Sequence, residues 1–134
     1  MKPFSYPAII NHSLPKASTM VADILAGELV HINAAGEGSN VKGSTKISLP
    51  ATRDVEFDKI HDIEVALIGC PLVKVTLITG IEFFSPLAVG ADGKGVKLWV
   101  SGDLLIGYAL AQPTVNGQKI GMLLAPIPAS ANLY

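Results

Sequence analysis

The sequence has one cysteine, one arginine and few aromatic residues, and each scarcity excludes a class of protein. Cys70 stands alone, so a scaffold held by intramolecular disulfides is excluded. Arg53 is the single arginine among ten basic residues, which face eleven acidic ones for a net charge of -1. Because neutralising phosphates needs a clustered basic surface, and no lysine run exists, we expect no nucleic-acid partner.

Long hydrophobic runs are missing as well. No stretch approaches the roughly 18 to 20 apolar residues that span a bilayer, so we expect no membrane partner. Pro3, Pro7 and several polar residues interrupt any leader-like segment after Lys2. The sequence therefore predicts synthesis in the cytoplasm without Sec-type export.

Charge is low and apolar content is high for a chain of 134 residues. Charged residues make up 16% of it, against about 25% in ordinary soluble domains, and apolar residues make up 49%. A chain of this size fits one core, and a small domain cannot bury all of its apolar material. We therefore expect subunit or partner interfaces, and an oligomer in solution.

Short apolar segments separated by glycine and asparagine turns predict a mostly β fold, a small barrel or sandwich of short antiparallel strands. Val73, Val75 and Leu77 alternate with Lys74 and Thr76, as in a half-buried strand. Turns are expected at Gly36–Gly38, Ala91–Lys94, Ser101–Asp103 and Asn116–Gly117. The predicted strands are Leu29–Asn33, Glu64–Gly69, Leu72–Thr79, Val96–Val100, Leu104–Gln112 and Lys119–Leu124.

The stretch Thr52–Glu64 fits two structures. Phe57, Ile60 and Ile63 recur every third residue, which fits a helix capped by Thr52. Val55 and Phe57 also alternate, which fits two strands. The strand interpretation is favoured, with room for one helical turn.

Both ends of the chain are expected to be extended and to bind protein. Residues 1–19 form a proline-containing arm, residues 20–124 the β domain, and residues 125–134 a tail. The arm is too apolar to stay free in water, so it lies either on its own barrel or on a neighbour. The tail carries no charged side chain. The predicted protein-interface residues are Phe4, Tyr6, Ile9, Ile10, Leu133 and Tyr134.

The two halves share a short pattern. Gly38–Lys42 and Gly93–Lys97 both read Gly-x-x-Val-Lys, and each follows an acidic residue. Two copies of such a unit would fit a barrel built from related halves. In a chain rich in glycine and valine, chance similarity explains the pattern as well.

No constellation of reactive side chains emerges, so no catalytic, metal-binding or cofactor-binding residue is predicted and the chain is expected not to be an enzyme. His12, His31 and His61 are scattered, and His61 with Glu64 supplies at most two of the ligands that a metal needs. Cys70 lies in an apolar part of the sequence, which favours a small buried hydrophobic residue over a nucleophile. The Gly38–Thr45 loop has its lysine before the second glycine, so it is not a phosphate-binding loop. Trp99 is expected in the core or a subunit interface.

Residues Phe84–Lys97, Ser101–Asp103, Ile106–Leu110 and Asn116–Leu124 together resemble the closing segment of small capsid decoration (cement, head-stabilising) proteins of tailed bacteriophages. Residues 26–30 are similar to the opening strand of such proteins. The resemblance covers residues 78–124 well and residues 20–45 loosely.

The resemblance implies a structural virion protein on the capsid exterior, made in the host cytoplasm. It implies a homotrimer that bridges neighbouring copies of the major capsid protein and stabilises their contacts, and it supplies no catalytic residue. One alternative is a β-barrel module on a virion or cell surface that binds small ligands or glycans, which exposed aromatic rings in a polar pocket would favour. A small hydrolase or lyase would need a cluster of titratable side chains that the sequence does not offer.

Overall fold

The computed structural model describes residues 10–43, 45 and 47–125. Ten strands and no helix occur in these residues, and all strand–strand ladders are antiparallel. The predicted mostly β, antiparallel fold is therefore confirmed. The strands are β1 (Ile10–Leu14), β2 (Leu29–Ile32), β3 (Gly38–Ser39), β4 (Ile47–Pro50), β5 (Ile63–Ile68), β6 (Leu72–Lys74), β7 (Pro86–Val89), β8 (Val96–Leu98), β9 (Gly107–Ala109) and β10 (Lys119–Leu124).

The first five strands form a ring of neighbours. β1 pairs with β5, and β2 lies between β3 and β4. A single antiparallel bridge from Ala51 to Val65 joins β4 to β5, and a single parallel bridge from Lys16 to Gly38 joins the chain after β1 to β3. The order around this ring is β1-β5-β4-β2-β3.

The last five strands repeat this arrangement. They form one sheet in the order β6-β10-β9-β7-β8, and a parallel bridge from Val75 to Val96 joins the chain after β6 to β8. Strand for strand, this is the order of the first ring, closed by the same kind of bridge. The two halves therefore share a topology. The closing bridges match Gly38 with Val96, three residues away from the match that the Gly-x-x-Val-Lys pattern predicts.

One hydrophobic core joins the two halves. Its fully buried side chains come from both, among them Leu29 and Ile63 from the first and Leu87 and Met122 from the second. The predicted alternation holds for Val73 and Val75, which are buried, whereas Leu77 is exposed. Burying each large aliphatic side chain contributes about 1.5 to 3 kcal/mol, so this core accounts for much of the fold's stability.

Hydrogen bonds between the halves add to the shared core. The Leu29 N–H donates to the Lys94 carbonyl at 2.8 Å, and the Lys74 N–H donates to the Gly27 carbonyl at 2.8 Å. Strand β6 and the β7–β8 hairpin are therefore fixed to the first half by backbone hydrogen bonds.

Both interpretations of Thr52–Glu64 are wrong for most of its length. Only Val55 pairs, in an isolated bridge to Ile24, and the strand β5 begins at Ile63. Side chains take the place of a ladder: Asp23 accepts from the Phe57 N–H at 3.0 Å, and the Lys16 ammonium donates to the Glu56 carbonyl at 2.7 Å. Bonds of this kind compete with regular secondary structure.

Three predicted strands are longer than the observed ones. Leu72–Thr79 shortens to β6, Val96–Val100 to β8, and Leu104–Gln112 to β9. After β6 the Asn116 side chain accepts from the Ile78 N–H at 3.0 Å, which replaces a strand partner. A strand extends only as far as the strand that pairs with it. The length of that partner cannot be read from the local sequence.

The predicted arm is split by the structure. Residues Ile10–Leu14 form β1 on the chain's own β5, with Leu14 paired to Ile63, and Leu14 and Ala17 are buried. Of the two locations considered for the arm, its described part thus lies on its own chain. Residues 1–9 and 126–134 lie outside the described residues.

Candidate protein-interaction surfaces

The histidines do not converge. His12 and His61 are exposed, and His31 is buried. Within residues 10–43, 45 and 47–125, no three His, Cys, Asp or Glu side chains come close enough to hold a metal ion. Nor do these residues include a helix of the length and hydrophobicity needed to cross a bilayer.

His31 links the two halves. On β2, its Nδ1 lies 2.7 Å from the Ser48 hydroxyl of β4, and its Nε2 lies 2.6 Å from the Gly93 carbonyl in the β7–β8 turn. Because a carbonyl only accepts, Nε2 carries the proton and Nδ1 accepts from Ser48. Burial is the main cause that lowers the pKa of His31; the Gly93 bond opposes it and Lys42 adds to it. A neutral, fully bonded imidazole of this kind has a structural role.

The predicted Ala91–Lys94 turn is confirmed between β7 and β8. The Asp92 carboxylate accepts from the Lys94 N–H at 2.9 Å and from the Thr76 hydroxyl at 2.7 Å. Partial burial alone would raise the pKa of Asp92, but these bonds and one from Gly95 together hold the pKa below its usual value. The Asp92 carboxylate therefore fixes the conformation of the turn. Gly38, by contrast, lies in β3 and not in a hairpin turn.

An uncharged surface covers the middle of the outward side of the second sheet, between Lys74 and Lys119 at one border and Lys97 at the other. Along β10, Ile120, Met122 and Leu124 are buried, while Gly121 and Leu123 point outward and are half-buried. Residues that pair across antiparallel strands share a face, so the register extends this surface over the neighbouring strands. We define the outer face as Cys70, Leu72, Phe83, Phe84, Pro86, Tyr108, Leu110, Gly121, Leu123 and Trp99.

Two rows of the outer face cross the sheet. In the first row Gly121 pairs with Leu72, and the Leu110 N–H donates to the Gly121 carbonyl at 3.0 Å. In the second row Leu123 pairs with Tyr108, which pairs with Pro86. At one end the second row extends to Cys70, which lies between the Leu124–Gly69 and Met122–Pro71 hydrogen bonds. At the other end it extends to Trp99, whose backbone N–H donates to the Pro86 carbonyl. A solvated sheet face is normally polar.

An aromatic cluster rises from this face. The Phe84 ring stacks on Tyr108 with centroids 5.6 Å apart, and Phe83 packs against Phe84 at 5.3 Å. Phe83 is 66% exposed and Phe84 51%. Among the described residues Phe84 is the one non-glycine residue with positive φ, at 68°, a conformation that costs a side-chain-bearing residue about 1 to 2 kcal/mol. Residues with such strained backbone conformations are often found at functional sites.

Sequence reasoning missed this aromatic cluster. Phe83 and Phe84 are adjacent, directly before Ser85 and the strand β7, and such a pair places at least one ring on the outside of a strand or turn. That adjacency was the available signal. Trp99 was expected in the core or an interface, and it is half-buried on the outer face, with its indole N–H bonded to the Asp103 carbonyl at 2.7 Å.

Two grooves share Leu72 in their lining. One, of about 270 Å³, is lined mainly by Ala26, Gly27, Ala51 and Pro71. The other, of about 230 Å³, is lined by Leu110, Ala111, Ile120 and neighbouring residues. Both include Cys70 and Lys119. The edge of the outer face at Cys70 and Leu72 therefore carries two small grooves.

The described chain begins and ends at one place, which we call the terminal corner (Ile10, Leu67, Ile68, Gly69 and Leu124). Ile10 pairs with Ile68 at the end of β5, and the Leu124 N–H donates to the Gly69 carbonyl at 3.1 Å. Ile10, Leu67 and Ile68 are exposed. Of the predicted interface residues, Ile10 is found here, whereas Phe4, Tyr6, Ile9, Leu133 and Tyr134 lie outside the described residues.

Searches against family models and against characterised protein sequences found no match. A search of solved structures found that the fold is similar to that of the N base of the head fiber gp8.5 in bacteriophage phi29. The TM-score is 0.53 at 16% sequence identity, over 89% of this chain and 96% of the fiber chain. At this identity the similarity concerns the fold, which the two chains share over almost their whole lengths.

Proposed function

We propose that this chain is a structural virion protein of a tailed bacteriophage, a decoration protein that binds the outer surface of the assembled capsid and stabilises contacts between major capsid subunits. The observation that carries the proposal is the shared fold with the base of a phage head fiber, over 89% of this chain. The resemblance of residues 78–124 to capsid decoration proteins supports the same role independently.

The terminal corner is the proposed attachment site. Three of its apolar side chains are exposed, namely Ile10, Leu67 and Ile68. Residues 1–9 connect to the corner at Ile10, and residues 126–134 connect to it just after Leu124. Those eighteen residues contain one charged side chain, Lys2. A largely neutral pair of segments leaving one corner can lie in a groove between capsid subunits, where apolar burial compensates the ordering of the chain.

Capsid stabilisation follows from selective binding. A ligand that binds only the assembled lattice stabilises it by mass action. In a homotrimer, which is part of the proposal, three corners would engage neighbouring capsid subunits at a high effective concentration. No catalytic step is required, and we propose that the chain has no enzymatic activity.

The test is cosedimentation with empty capsids assembled from the major capsid protein encoded in the same genome. Wild-type protein is expected to pellet with capsids and to raise their melting temperature. Ile68→Asp places a charge in the corner and should weaken binding by about tenfold or more. The matched control is Ile60→Asp, because Ile60 is 98% exposed on the loop before β5, at the other end of that strand.

Failure of wild-type protein to bind capsids overturns the proposed function. If Ile60→Asp weakens binding and Ile68→Asp does not, the attachment site is the Thr52–Asp62 loop, and the assignment of the corner is wrong.

A glycan-binding module is the second candidate, because the aromatic cluster offers exposed rings on which sugars could stack. A glycan array probed with the wild type and with Phe83→Ala distinguishes the two. Glycan binding that depends on Phe83, in protein that ignores capsids, would favour this alternative.

A further inference from the structure

The outer face lacks the charged side chains that a solvated sheet surface normally carries. Its two rows and the aromatic cluster contain no charged side chain. Charges stand only at its borders: Lys74 and Lys119 pair across β6 and β10 at one end, and Lys97 lies on β8 at the other. Lys74 and Lys97 already have carboxylate partners, Glu28 at 3.5 Å and Asp103 at 2.7 Å. A surface with neutral rows and a charged border is typical of an interface core and rim.

The size of the outer face limits what can cover it. Five strands about 4.8 Å apart and two rows along the strands give roughly 350 Å². An extended segment is one strand wide, about 5 Å, so residues 126–134 of the same chain would cover one row and leave the other in water. A folded surface of matching width covers both rows and the aromatic cluster.

The buried area that a stable interface needs also indicates that the partner contributes further residues besides a sheet face. A stable interface buries about 800 Å² per partner, more than twice the outer face alone. The terminal corner lies beside Cys70, at the edge of the outer face, because Gly69 precedes Cys70 directly. Residues 1–9 and 126–134 each reach up to about 30 Å from that corner. A second copy of this chain supplies both a neutral surface and these segments.

We propose that a second copy of this chain buries the outer face, with Leu72, Leu123 and Tyr108 at the centre of the contact. This rests on the self-association in the proposed function and names the surface that mediates it. The contact requires no capsid. It holds the terminal corners of associated copies close together, which is the geometry that multivalent attachment needs.

Cys70 provides a reporter for this contact. It is the single thiol of the chain, and it lies half-buried at the end of the second row. Its reaction rate with a thiol reagent such as DTNB is measured on the full chain from about 100 μM down to about 1 μM, in parallel with the mass by light scattering. Burial by a second copy predicts an oligomer whose Cys70 reacts about tenfold faster once dilution gives monomers.

Charged substitutions locate the contact. Leu72→Lys and Leu123→Lys place an ammonium in the first and second row, and both should give folded monomers with a fast, concentration-independent reaction of Cys70. Leu72 is 49% exposed, so its substitution is tolerated by the monomer even where that of Leu123 is not. Val115→Lys is the matched control, since Val115 is 60% exposed on the β9–β10 connection and belongs to neither row, so this variant should behave as the wild type.

Three results would overturn the inference. One is an oligomer that survives both Leu72→Lys and Leu123→Lys. Another is a monomer whose Cys70 is protected at every concentration and becomes reactive when the chain is ended at Ala125, which identifies its own tail as the cover. The third is a monomer with a reactive Cys70 throughout. Since no capsid is present, none of these results bears on whether the protein binds capsids.

Discussion

Leu124 and Gly69 are joined by a hydrogen bond of 3.1 Å from the N–H of the last β10 residue to the carbonyl just after β5. On the other side of β5, Ile10 pairs with Ile68. The first and last strands of the described chain thus meet at the end of β5. This proximity turns two separate apolar ends into one candidate attachment site.

Deleting residues 2–9 is expected to leave the fold intact and to weaken capsid binding by about tenfold or more, because the neutral segment that starts at the corner is lost. Circular dichroism checks the fold and cosedimentation the binding. Deleting residues 2–12 should instead lower stability as well, because it removes part of β1 from its ladder with β5. Unchanged binding after the shorter deletion would show that the segment is not an attachment element.

Acidification is expected to weaken the fold through His31. Its pKa is lowered in the folded chain, so the unfolded chain takes up a proton first as the pH falls below about 6.5. Stability is therefore full above about pH 7.5 and declines from about 6.5 toward the folded pKa. Urea unfolding at several pH values measures this.

His31→Gln should remove that part of the pH dependence. It should also cost about 1 to 3 kcal/mol at neutral pH, because Ser48 or Gly93 loses a buried hydrogen-bond partner. His61→Gln, at an exposed site, should leave the pH profile unchanged. A wild-type profile in His31→Gln would mean that another group is responsible.

Gly38→Ala is expected to destabilise the fold by about 1 to 3 kcal/mol through overpacking. A Cβ there would lie 2.7 Å from Val30 Cγ1 and 2.9 Å from Ile63 Cδ1. Gly121→Ala is the control, since its Cβ would meet Leu110 Cβ at an ordinary 3.7 Å. Differential scanning calorimetry of the two variants should separate them clearly, and equal melting temperatures would contradict the packing described around Gly38.

Phe84→Gly is expected to be more stable than Phe84→Ala by about 0.5 to 1 kcal/mol. Both remove the ring, and only glycine takes a φ of 68° without steric cost. At Val115, an exposed residue without positive φ, the usual order should hold and alanine should be the more stable. Chemical denaturation of the four variants tests this, and the usual order at position 84 would remove the argument for strain.

Local sequence determined the fold class and some of its elements. Val, Ile and Leu in short runs between glycine and asparagine turns produced β5 and β10 almost residue for residue, with Glu64–Gly69 predicted for Ile63–Ile68. The Asp92–Gly93 turn also followed from local chemistry, because an aspartate that bonds to the following N–H groups and a glycine with positive φ need no distant partner. The scarcity of charge predicted uncovered apolar surface, and the outer face is such a surface.

The tertiary structure alone decided which residues make up the two surfaces. Ile10 meets Ile68, and Leu72 meets Leu110 across Gly121, through pairing between segments that are far apart in the chain. The alternation of residues within a strand does not specify which other strand it pairs with. Thr52–Asp62 shows the same limit, since its alternation favours strands but the side chains of Asp23 and Lys16 take its backbone groups. Local pattern sets which side of a strand is apolar, and the register between distant strands sets what that side faces.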